Sequence, residues 1–324
     1  MKNETAVTFK NTIMRINNKL LQNAWNAIKN DSVGKFIAKT IKFLFRCGFL
    51  FFREYLPLKL LSYFSNKSEI VKDIQGNKMI LSLKDFGISR ELALYGFHEK
   101  NSTRQIKNIL KPGMKIVEVG ANIGYYALIE AKLIGKSGIV YAFEPSPNNF
   151  EFLKRNIALN KYKNVEIYKK AIGPETGTSK FFVANRSNLS SLIKREDWAS
   201  LYNDNNCIDV AVIKLDEFLK DKKVDLIRMD IEGYELEVLK GLKDTLSSYD
   251  APQYFFIEIH SELLHKQDYS AGGTIRYLEN FGYSVTKSFY RGSSEVSVNN
   301  TRDLLMHPYL EKGYWETFFV LLKR

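Results

Sequence analysis

The 324-residue chain contains little cysteine and little proline: two cysteines, Cys47 and Cys207, and seven prolines. Two cysteines cannot build a disulfide framework, so small disulfide-rich secreted folds are excluded and both thiols are interpreted as buried or incidental. The remaining composition, 45% hydrophobic, 13% aromatic and 26% charged, is that of an ordinary globular protein with a sizeable core. The length suits one large domain or two smaller ones.

The chain also lacks an apolar run long enough to be a membrane-spanning helix or early enough to be a signal peptide. A spanning helix needs about 20 predominantly apolar residues. The most apolar stretch, residues 37–64, is interrupted by Lys39, Lys42, Arg46 and Arg53. It begins too late for a signal peptide, and no small-residue cleavage site follows it. We therefore expect a cytoplasmic protein.

Acidic residues are scarce in the first 65 positions, where eleven lysines or arginines accompany three acids. That stretch carries +8 of the formal net charge of +12. Apolar residues at helical spacing, such as Ile13, Ile16 and Leu20, predict a helical, basic, amphipathic extension over residues 1–67. Two interpretations stay open: these helices pack on the rest of the chain or on a second subunit, or residues 1–65 lie as a peripheral anchor on an anionic membrane surface.

Residues 68–112 predict a lead-in to the main fold. Two short strand patterns flank Gly76-Asn77, which is typical of a hairpin turn. Helical patterns follow near residues 90–97 and 103–110, and either Asn101 or Ser102 is suited to cap the second helix. His98, between the two helices, is interpreted as a surface or satisfied histidine rather than a substrate-side group.

Residues 113–324 alternate between buried-strand and helix patterns. This alternation predicts an α/β fold with a doubly wound, mostly parallel sheet and an antiparallel edge pair. A polar loop at 185–206, within an insertion at 177–215, is expected to cover the site, and Asp216 is expected to cap a short helix at 217–219. The predicted parallel strands are residues 114–119, 139–143, 165–172, 224–229 and 254–259, and the edge pair is 283–286 with 318–322.

The central motif is a strand, a glycine turn and a helix start at residues 114–124, Met-Lys-Ile-Val-Glu-Val-Gly-Ala-Asn-Ile-Gly. Turns of this kind bind nucleotides at the carboxyl ends of parallel strands. A dinucleotide site needs Gly-x-Gly-x-x-Gly, because the middle glycine lets the backbone approach a pyrophosphate. Here Asn122 occupies the middle position and Tyr125 the last one. A nicotinamide oxidoreductase is therefore disfavoured.

Two carboxylates accompany this turn. Glu118 precedes it and would accept hydrogen bonds from an ammonium group or lie near a cation. Glu144 ends the next strand, where an acid can accept both hydroxyls of a ribose. An adenosine with a cationic tail fits both acids, and S-adenosylmethionine carries an ammonium and a sulfonium. The predicted cofactor is therefore S-adenosylmethionine, bound by Glu118, Gly120, Asn122, Gly124, Tyr125, Glu144 and Ile172.

Three polar residues at other strand ends are candidates for catalysis: Asp230, Glu232 and His260. Asp230 is the first candidate for a base that activates an acceptor hydroxyl; alternatively it caps the following helix or holds the methionine ammonium. Glu232 alternatively complements a helix N-terminus, and His260 alternatively is a hydrogen-bonded structural residue. No metal is predicted, because acids alone are not a ligand pattern.

Motifs of nucleic-acid base methylases are absent. No Pro-Pro pair occurs, and neither cysteine follows a proline. This excludes the Asp/Asn-Pro-Pro-aromatic motif of base amino methylases and the Pro-Cys nucleophile of pyrimidine carbon-5 methylases. Base chemistry requires a flipped base in a stacking pocket, and no pattern indicates one. The basic residues lie mostly outside the core domain, so no nucleic-acid partner is expected.

Several segments resemble the FkbM-type methyltransferase family, over roughly Val117 to Val285. The most specific segment is 224–242, where an Asp-x-Glu-Gly-x-Glu core continues into Val-Leu-x-Gly. Residues 118–124 resemble the family's first motif, with Glu118 where aspartate is commoner. Further similar segments are 143–145, 171–173 and 188–192.

The resemblance implies a class I, Rossmann-like methyltransferase fold over residues 68–324 and, as its usual reaction, O-methylation of a sugar or polyketide hydroxyl. The predicted function is S-adenosylmethionine-dependent transfer of a methyl group to a hydroxyl of a sugar, glycoconjugate or similar small molecule. Two alternatives stay open. One is a methyltransferase that acts on an amine or lipid acceptor, and the other is a non-catalytic module that binds an adenosyl ligand.

Overall fold

A computed structural model describes residues 68–85, 87–184, 186–194, 207–292 and 295–322. The predicted extension over residues 1–67 and most of the predicted 185–206 loop lie outside the described residues. Among the described residues, no helix combines the length and apolar character needed to cross a membrane.

The described chain contains thirteen strands and ten helices. The strands are β1 Glu69–Ile74, β2 Asn77–Ser82, β3 Lys115–Val119, β4 Ile139–Phe143, β5 Val165–Tyr168, β6 Ala171–Gly173, β7 Gly177–Phe182, β8 Cys207–Lys214, β9 Leu226–Met229, β10 Tyr254–His260, β11 Tyr283–Arg291, β12 Glu295–Val298 and β13 Tyr314–Leu321. The helices are α1 Ile88–Tyr95, α2 Lys100–Ile109, α3 Tyr125–Ile134, α4 Pro147–Asn160, α5 Leu215–Leu219, α6 Glu235–Lys240, α7 Lys243–Ser247, α8 Ser261–His265, α9 Ala271–Glu279 and α10 Thr301–Leu305.

An eight-stranded sheet in the order β12-β11-β13-β10-β9-β3-β4-β5 forms the centre of the fold. Five neighbouring strands of this sheet, β10, β9, β3, β4 and β5, run parallel to one another. β13, β11 and β12 continue the sheet antiparallel. Apolar side chains form a core on each face, because successive strand residues point to opposite sides. The predicted doubly wound, mostly parallel α/β fold is confirmed.

The antiparallel edge contains three strands, so the predicted edge pair is incomplete. β11 extends to Arg291 and pairs with both β13 and β12. The sequence pattern hid its full length, because Ser288 interrupts the apolar alternation. Ser288 is nevertheless buried, and its hydroxyl lies 2.8 Å from the Thr317 hydroxyl on β13. A hydrophobicity pattern predicts that such hydroxyl residues are exposed, although a hydrogen bond between them allows both to be buried.

The predicted third strand, residues 165–172, is wrong in extent. β5 ends at Tyr168, and β6 belongs to a separate three-stranded sheet in the order β6-β8-β7. The exposed Lys169 lies between the two strands with Lys170, and consecutive lysines do not continue a buried strand. Ile172 therefore lies in the smaller sheet, whose other two strands, β7 and β8, come from the predicted insertion.

Two predicted details of the lead-in are wrong. The hairpin turns at Gln75-Gly76, one residue earlier than expected, because both residues adopt the positive φ angles, 55° and 76°, that tight hairpins require. α2 begins after Glu99, so neither Asn101 nor Ser102 caps it. The Ser102 hydroxyl instead donates to the buried Glu316 carboxylate.

The predicted cap at Asp216 is also wrong. Its carboxylate accepts the backbone N–H groups of Asp244 and Thr245, at 3.0 and 2.8 Å, in the first turn of α7. The single helix expected after Asp230 is divided into α6 and α7 around Gly241. A Cβ atom at Gly241 would lie 2.6 Å from the Gly173 carbonyl oxygen, so the chain passes too close to β6 for a larger residue.

Candidate functional site

A cavity of about 260 Å³ opens at the carboxyl ends of the parallel strands. Ligands bind at this edge in open α/β sheets. The cavity brings together nine of the ten predicted site residues, and only Gly124 does not line it. These nine are Glu118, Gly120, Asn122, Tyr125, Glu144, Ile172, Asp230, Glu232 and His260.

The turn after β3 depends on positive φ angles at Gly120 (84°), Asn122 (51°) and Gly124 (95°). A Cβ atom at Gly120 would clash with the carbonyl oxygen of Asp230, and one at Gly124 would lie 2.9 Å from Leu153 Cδ1. Both glycines are therefore required by the close approach of other protein atoms, rather than by the approach of a ligand alone.

Replacing Gly120 with alanine is expected to lower the free energy of unfolding by about 2–4 kcal/mol, since the new methyl group meets a backbone oxygen and the φ angle is unfavourable. Gly135→Ala is the matched control, because Gly135 has a φ of 67° but no atom of the described residues lies within 4 Å of the point where its Cβ would be. Chemical denaturation of both variants checks this. Equal losses in the two variants would show that the contact with Asp230 has no effect.

Glu144 connects the β3 turn to the end of β4. Its side chain is buried and accepts the backbone N–H groups of Asn122 and Ser146, at 2.8 and 2.9 Å. Burial raises the pKa of Glu144 to about 7, although these hydrogen bonds oppose the rise. The carboxylate is thus held in place before any ligand binds, as a ribose-binding acid should be.

The insertion packs directly on this turn. The Ser187 carbonyl oxygen accepts hydrogen bonds from the Asn149 and Asn122 side-chain amides, at 2.9 and 3.4 Å. Leu189 and Leu192 line the same cavity. Within residues 186–194, the expected contact between the insertion and the site is therefore present. The hydroxyl of Tyr125, by contrast, points to the lead-in, where it lies 3.0 Å from the Thr103 hydroxyl.

Glu118 is paired with a cation of the protein itself. The carboxylate is 1% exposed, and its Oε1 accepts a hydrogen bond from Arg228 Nη1 at 2.5 Å. Its Oε2 has no hydrogen-bond partner among the described residues. Burial raises the pKa of Glu118 well above its usual range, and Arg228 opposes that rise. Arg228 therefore fixes one oxygen of Glu118, which also lines the cavity. The buried Glu130 on α3 faces the same carboxylate and adds to the rise in its pKa.

Asp230 and Glu232 lie in the turn after β9. The Asp230 side chain is 24% exposed, and its nearest cations are Arg228 Nη2 at 3.7 Å and His260 Nε2 at 4.0 Å. Burial, together with Glu258 and Glu99, raises the pKa of Asp230 well above its usual range. Glu232 adopts a φ of 58°, and strained backbone of this kind is frequent at functional sites.

His260 is surrounded by carboxylates. Its Nδ1 lies 2.8 Å from Glu235 Oε1, and its Nε2 lies 3.3 Å from Glu232 Oε2. Burial alone would lower the pKa of His260, but Glu232 and Glu235 raise it to about 10. The imidazole is therefore protonated near neutral pH and is suited to donate a hydrogen bond rather than to accept a proton.

His98 forms the opposite wall of the cavity with Glu99 and Arg291. Its Nδ1 lies 2.6 Å from Glu91 and its Nε2 lies 2.8 Å from Glu99, so it is a satisfied, buried histidine. Arg291 Nη1 contacts both Glu99 and Glu258, at 2.8 and 3.1 Å. Glu99 and Arg291 were not expected at the site, because nothing in their sequence surroundings points to it.

One signal in the sequence could have revealed the rest of this cluster. Glu118, Arg228, Glu258 and Glu316 lie on four adjacent strands and on the same sheet face, as the pairings Glu118↔Arg228 and Glu258↔Glu316 show. Each is a charged residue inside an otherwise apolar strand pattern. A charge in a buried strand requires a partner, so four such strands predict a shared charged row. We call these four residues the charged row.

Two sets of side chains have the spacing of metal ligands: Asp230 with Glu232 and His260, and Glu99 with Asp230 and Glu258. In each set the ligand atoms lie within 4.8 Å of one another. Acidic groups adopt such spacing without an ion wherever cations balance them, as Arg291 and His260 do here. The expectation of no metal remains a prediction.

The fold and the cavity define a class I, S-adenosylmethionine-dependent methyltransferase. A family model described as the methyltransferase FkbM domain matches residues 118–285, more than half of the chain. The chain belongs to the FkbM methyltransferase family, as its motifs predicted.

Relatives of the chain are also methyltransferases. It is 28% identical over 187 residues to Methyltransferase 1 of Beauveria bassiana, across 52% of this chain and 72% of that protein. It is 25% identical to the 2-O-methyltransferase NoeI of Sinorhizobium fredii, across 61% and 85%. It is 26% identical to the hexuronic acid methyltransferase AglP of Haloferax volcanii, across 44% and 55%. The fold is also similar to a crystal structure of an S-adenosylmethionine-dependent methyltransferase from Aquifex aeolicus. The alignment covers 68% of this chain and 90% of that one, with 18% identity and a TM-score of 0.39.

Proposed function

We propose that the protein transfers a methyl group from S-adenosylmethionine to a hydroxyl of a sugar or glycoconjugate. The observation that carries this proposal is the shared cavity. Glu118 and Glu144, the predicted donor-site acids, line the same space as Asp230, Glu232 and His260. Methyl transfer to a hydroxyl requires that the attacking oxygen lie in line with the methyl group and lose its proton to a base. A donor site next to a group of acids meets both requirements.

The residues present fit the cofactor. S-adenosylmethionine would supply a methyl group bonded to a sulfonium, which activates the methyl carbon for in-line attack by an oxygen. S-adenosylhomocysteine is the leaving group. Glu118 Oε2, buried and without a hydrogen-bond partner among the described residues, would accept from the cofactor's ammonium. Glu144, fixed by two backbone N–H groups, would accept from the ribose hydroxyls.

Asp230 is the proposed base. Its carboxylate is partly exposed in the cavity, and no cationic side chain of the described residues lies close enough to use it as a hydrogen-bond acceptor at normal distance. A carboxylate with a raised pKa takes a proton more readily than an ordinary one. In the proposed step, the acceptor O–H proton moves to Asp230 as the oxygen–methyl bond forms.

Glu232 and His260 are proposed to orient the acceptor. The protonated His260, held through Nδ1 by Glu235, presents its Nε2–H toward Glu232 and Asp230. A fixed donor of this kind can bind an acceptor oxygen and keep the neighbouring hydroxyl near the base. The cluster of Asp230, Glu232 and His260 in this part of the cavity favours a hydroxylated acceptor over an apolar one.

The acceptor class is supported by the relatives. The names of NoeI and AglP specify a 2-O-methyltransferase and a hexuronic acid methyltransferase. At 25% and 26% identity, these names direct the choice of acceptors to test.

Incubation of the purified full chain with methyl-labelled S-adenosylmethionine and an acceptor panel tests the proposal. The panel comprises neutral sugars, hexuronic acids, lipid-linked glycans, an amine and a lipid. We expect label in an ether linkage on a sugar, with and without EDTA. Label only on the amine or the lipid would overturn the proposal in favour of that acceptor. Cofactor binding with no transfer to any acceptor would also contradict it.

A further inference from the structure

Arg228 is a charged residue in the middle of the central sheet. It is 2% exposed on β9, between Glu118 on β3 and Phe256 on β10, which are its register partners. Its guanidinium carbon lies 3.5 Å from the centre of the Tyr126 ring and 5.0 Å from that of the Phe256 ring. The side chain thus packs against two aromatic rings at the buried edge of the cavity.

The guanidinium connects acids from three parts of the fold. Nη1 donates to Glu118 Oε1 at 2.5 Å, and Nη2 lies 3.7 Å from both Glu99 Oε2 and Asp230 Oδ2. Glu118 belongs to the donor side of the cavity, and Asp230 to the proposed acceptor side. A planar group with several donors can span two such carboxylates, whereas the single ammonium of a lysine cannot hold both in fixed directions.

The arrangement is poorly explained by stability alone. Taking an ion pair out of water costs about as much as the pair regains, and apolar residues of similar volume often stabilise such a position better. Methionine would pack against Tyr126 and Phe256 as a soft apolar side chain. The chain instead keeps an arginine whose hydrogen bond fixes one oxygen of Glu118, and both residues line the cavity.

We infer that Arg228 is a positioning residue, which orients the Glu118 carboxylate toward the ammonium group of the bound cofactor. This inference rests on the proposed function, because it assigns a purpose to the donor site. The proposed effect of Arg228 on cofactor binding acts through its hydrogen bond to Glu118. Its effect should therefore appear in cofactor affinity and disappear once Glu118 is neutralised.

A double-mutant cycle on the full chain tests this inference. Affinities for S-adenosylmethionine and S-adenosylhomocysteine are measured by calorimetry for the unmodified protein, Arg228→Met, Glu118→Gln and the double variant. Arg228→Met is expected to weaken binding about 30-fold, as loss of one partner of a buried charge pair does. Glu118→Gln should have a similar effect, and the double variant should bind no more weakly than Glu118→Gln alone.

The pH dependence of cofactor binding is a second measurement. It should not change if Arg228 only stabilises the fold. Burial raises the pKa of Glu118, the neighbouring acids Glu130 and Asp230 raise it further, and Arg228 opposes that rise. In Arg228→Met the rise is unopposed, so the pH at which binding is half-maximal should shift upward. The double variant should show no such shift. Arg228→Lys, which keeps the charge without the planar group, should lie between the unmodified protein and Arg228→Met.

Arg155→Met is the matched control, because Arg155 pairs with Glu69 at the surface, at 2.5 Å, and does not line the cavity. Unchanged affinity in folded Arg228→Met, or losses that simply add in the double variant, would overturn the inference. If Arg228→Met does not fold, Arg228→Lys with unchanged affinity and unchanged pH dependence would overturn it. Failure of the unmodified protein to bind either ligand would overturn the proposed function, and this inference with it.

Discussion

Replacing Asp230 with asparagine is expected to lower kcat by about 10²–10⁴-fold, the usual contribution of a positioned base. Asparagine keeps the size of the side chain but cannot take a proton at working pH. Cofactor affinity should change little, because Glu118 and Glu144 are retained. The measurement is steady-state methyl transfer to the best acceptor, with cofactor affinity determined separately by calorimetry.

The Asp230 experiment also decides between the two interpretations of this residue. If Asp230 holds the methionine ammonium instead, the asparagine variant will lose cofactor affinity and keep kcat at saturating cofactor. Asp250→Asn is the control, because Asp250 forms an exposed pair with Lys223 at 2.6 Å and does not line the cavity. That variant should match the unmodified protein in both measurements.

Replacing Glu144 with glutamine is expected to weaken cofactor binding by about 10–100-fold, the effect of losing hydrogen bonds to a charged group. The amide has one acceptor oxygen where the carboxylate has two. It cannot serve both backbone N–H groups, at Asn122 and Ser146, and also accept from ribose hydroxyls. Calorimetric titration with S-adenosylhomocysteine measures the change without turnover.

The raised pKa of Glu144 also predicts that cofactor affinity depends on pH. The pKa of Glu144 is raised to about 7, so the ionised form, which we propose accepts from the ribose, is lost as pH falls through that value. Affinity should therefore be about tenfold weaker at pH 6 than at pH 8, since one pH unit below the pKa leaves about a tenth of the group ionised. The glutamine variant should lack this part of the dependence.

Glu166→Gln provides the control for Glu144. Glu166 is exposed on the adjacent strand β5, where it accepts from the Tyr168 hydroxyl at 2.6 Å, and it does not line the cavity. Affinity for S-adenosylhomocysteine that is the same for Glu144→Gln and Glu166→Gln would show that Glu144 only holds the β3 turn and does not bind the ribose.

The sequence allowed prediction of those parts of the site that depend on local patterns. The strand at 139–143 was predicted with the bounds of β4, because an uninterrupted apolar run bounded by turn residues is a local signal. Strand ends then place Glu118, Glu144 and Asp230 at one edge by topology alone. For this reason the cavity contains nearly all residues expected there.

The contacts that define the site's electrostatics were beyond such prediction. Arg228 and Glu118 are 110 residues apart, and Arg291 and Glu99 are 192 apart. No periodicity links such pairs, because their meeting depends on sheet order and register. The errors at Ser102 and Asp216 have the same origin. Serine and aspartate are residue types that often cap a neighbouring helix. Here Ser102 instead donates to the distant Glu316, and Asp216 accepts from the backbone of α7.

The burial of acids in the fold changes the charge that the protein presents to its surroundings. Residues 68–324 contain 36 lysines and arginines and 33 acids, which is nearly balanced. At least eight glutamates of this part are buried, against one arginine and two histidines, His98 and His260. The solvent therefore meets a surface more cationic than the sequence suggests, and it attracts polyanions over distances that salt shortens. We therefore expect retention of the protein by heparin at low ionic strength, and its loss as the salt concentration is raised.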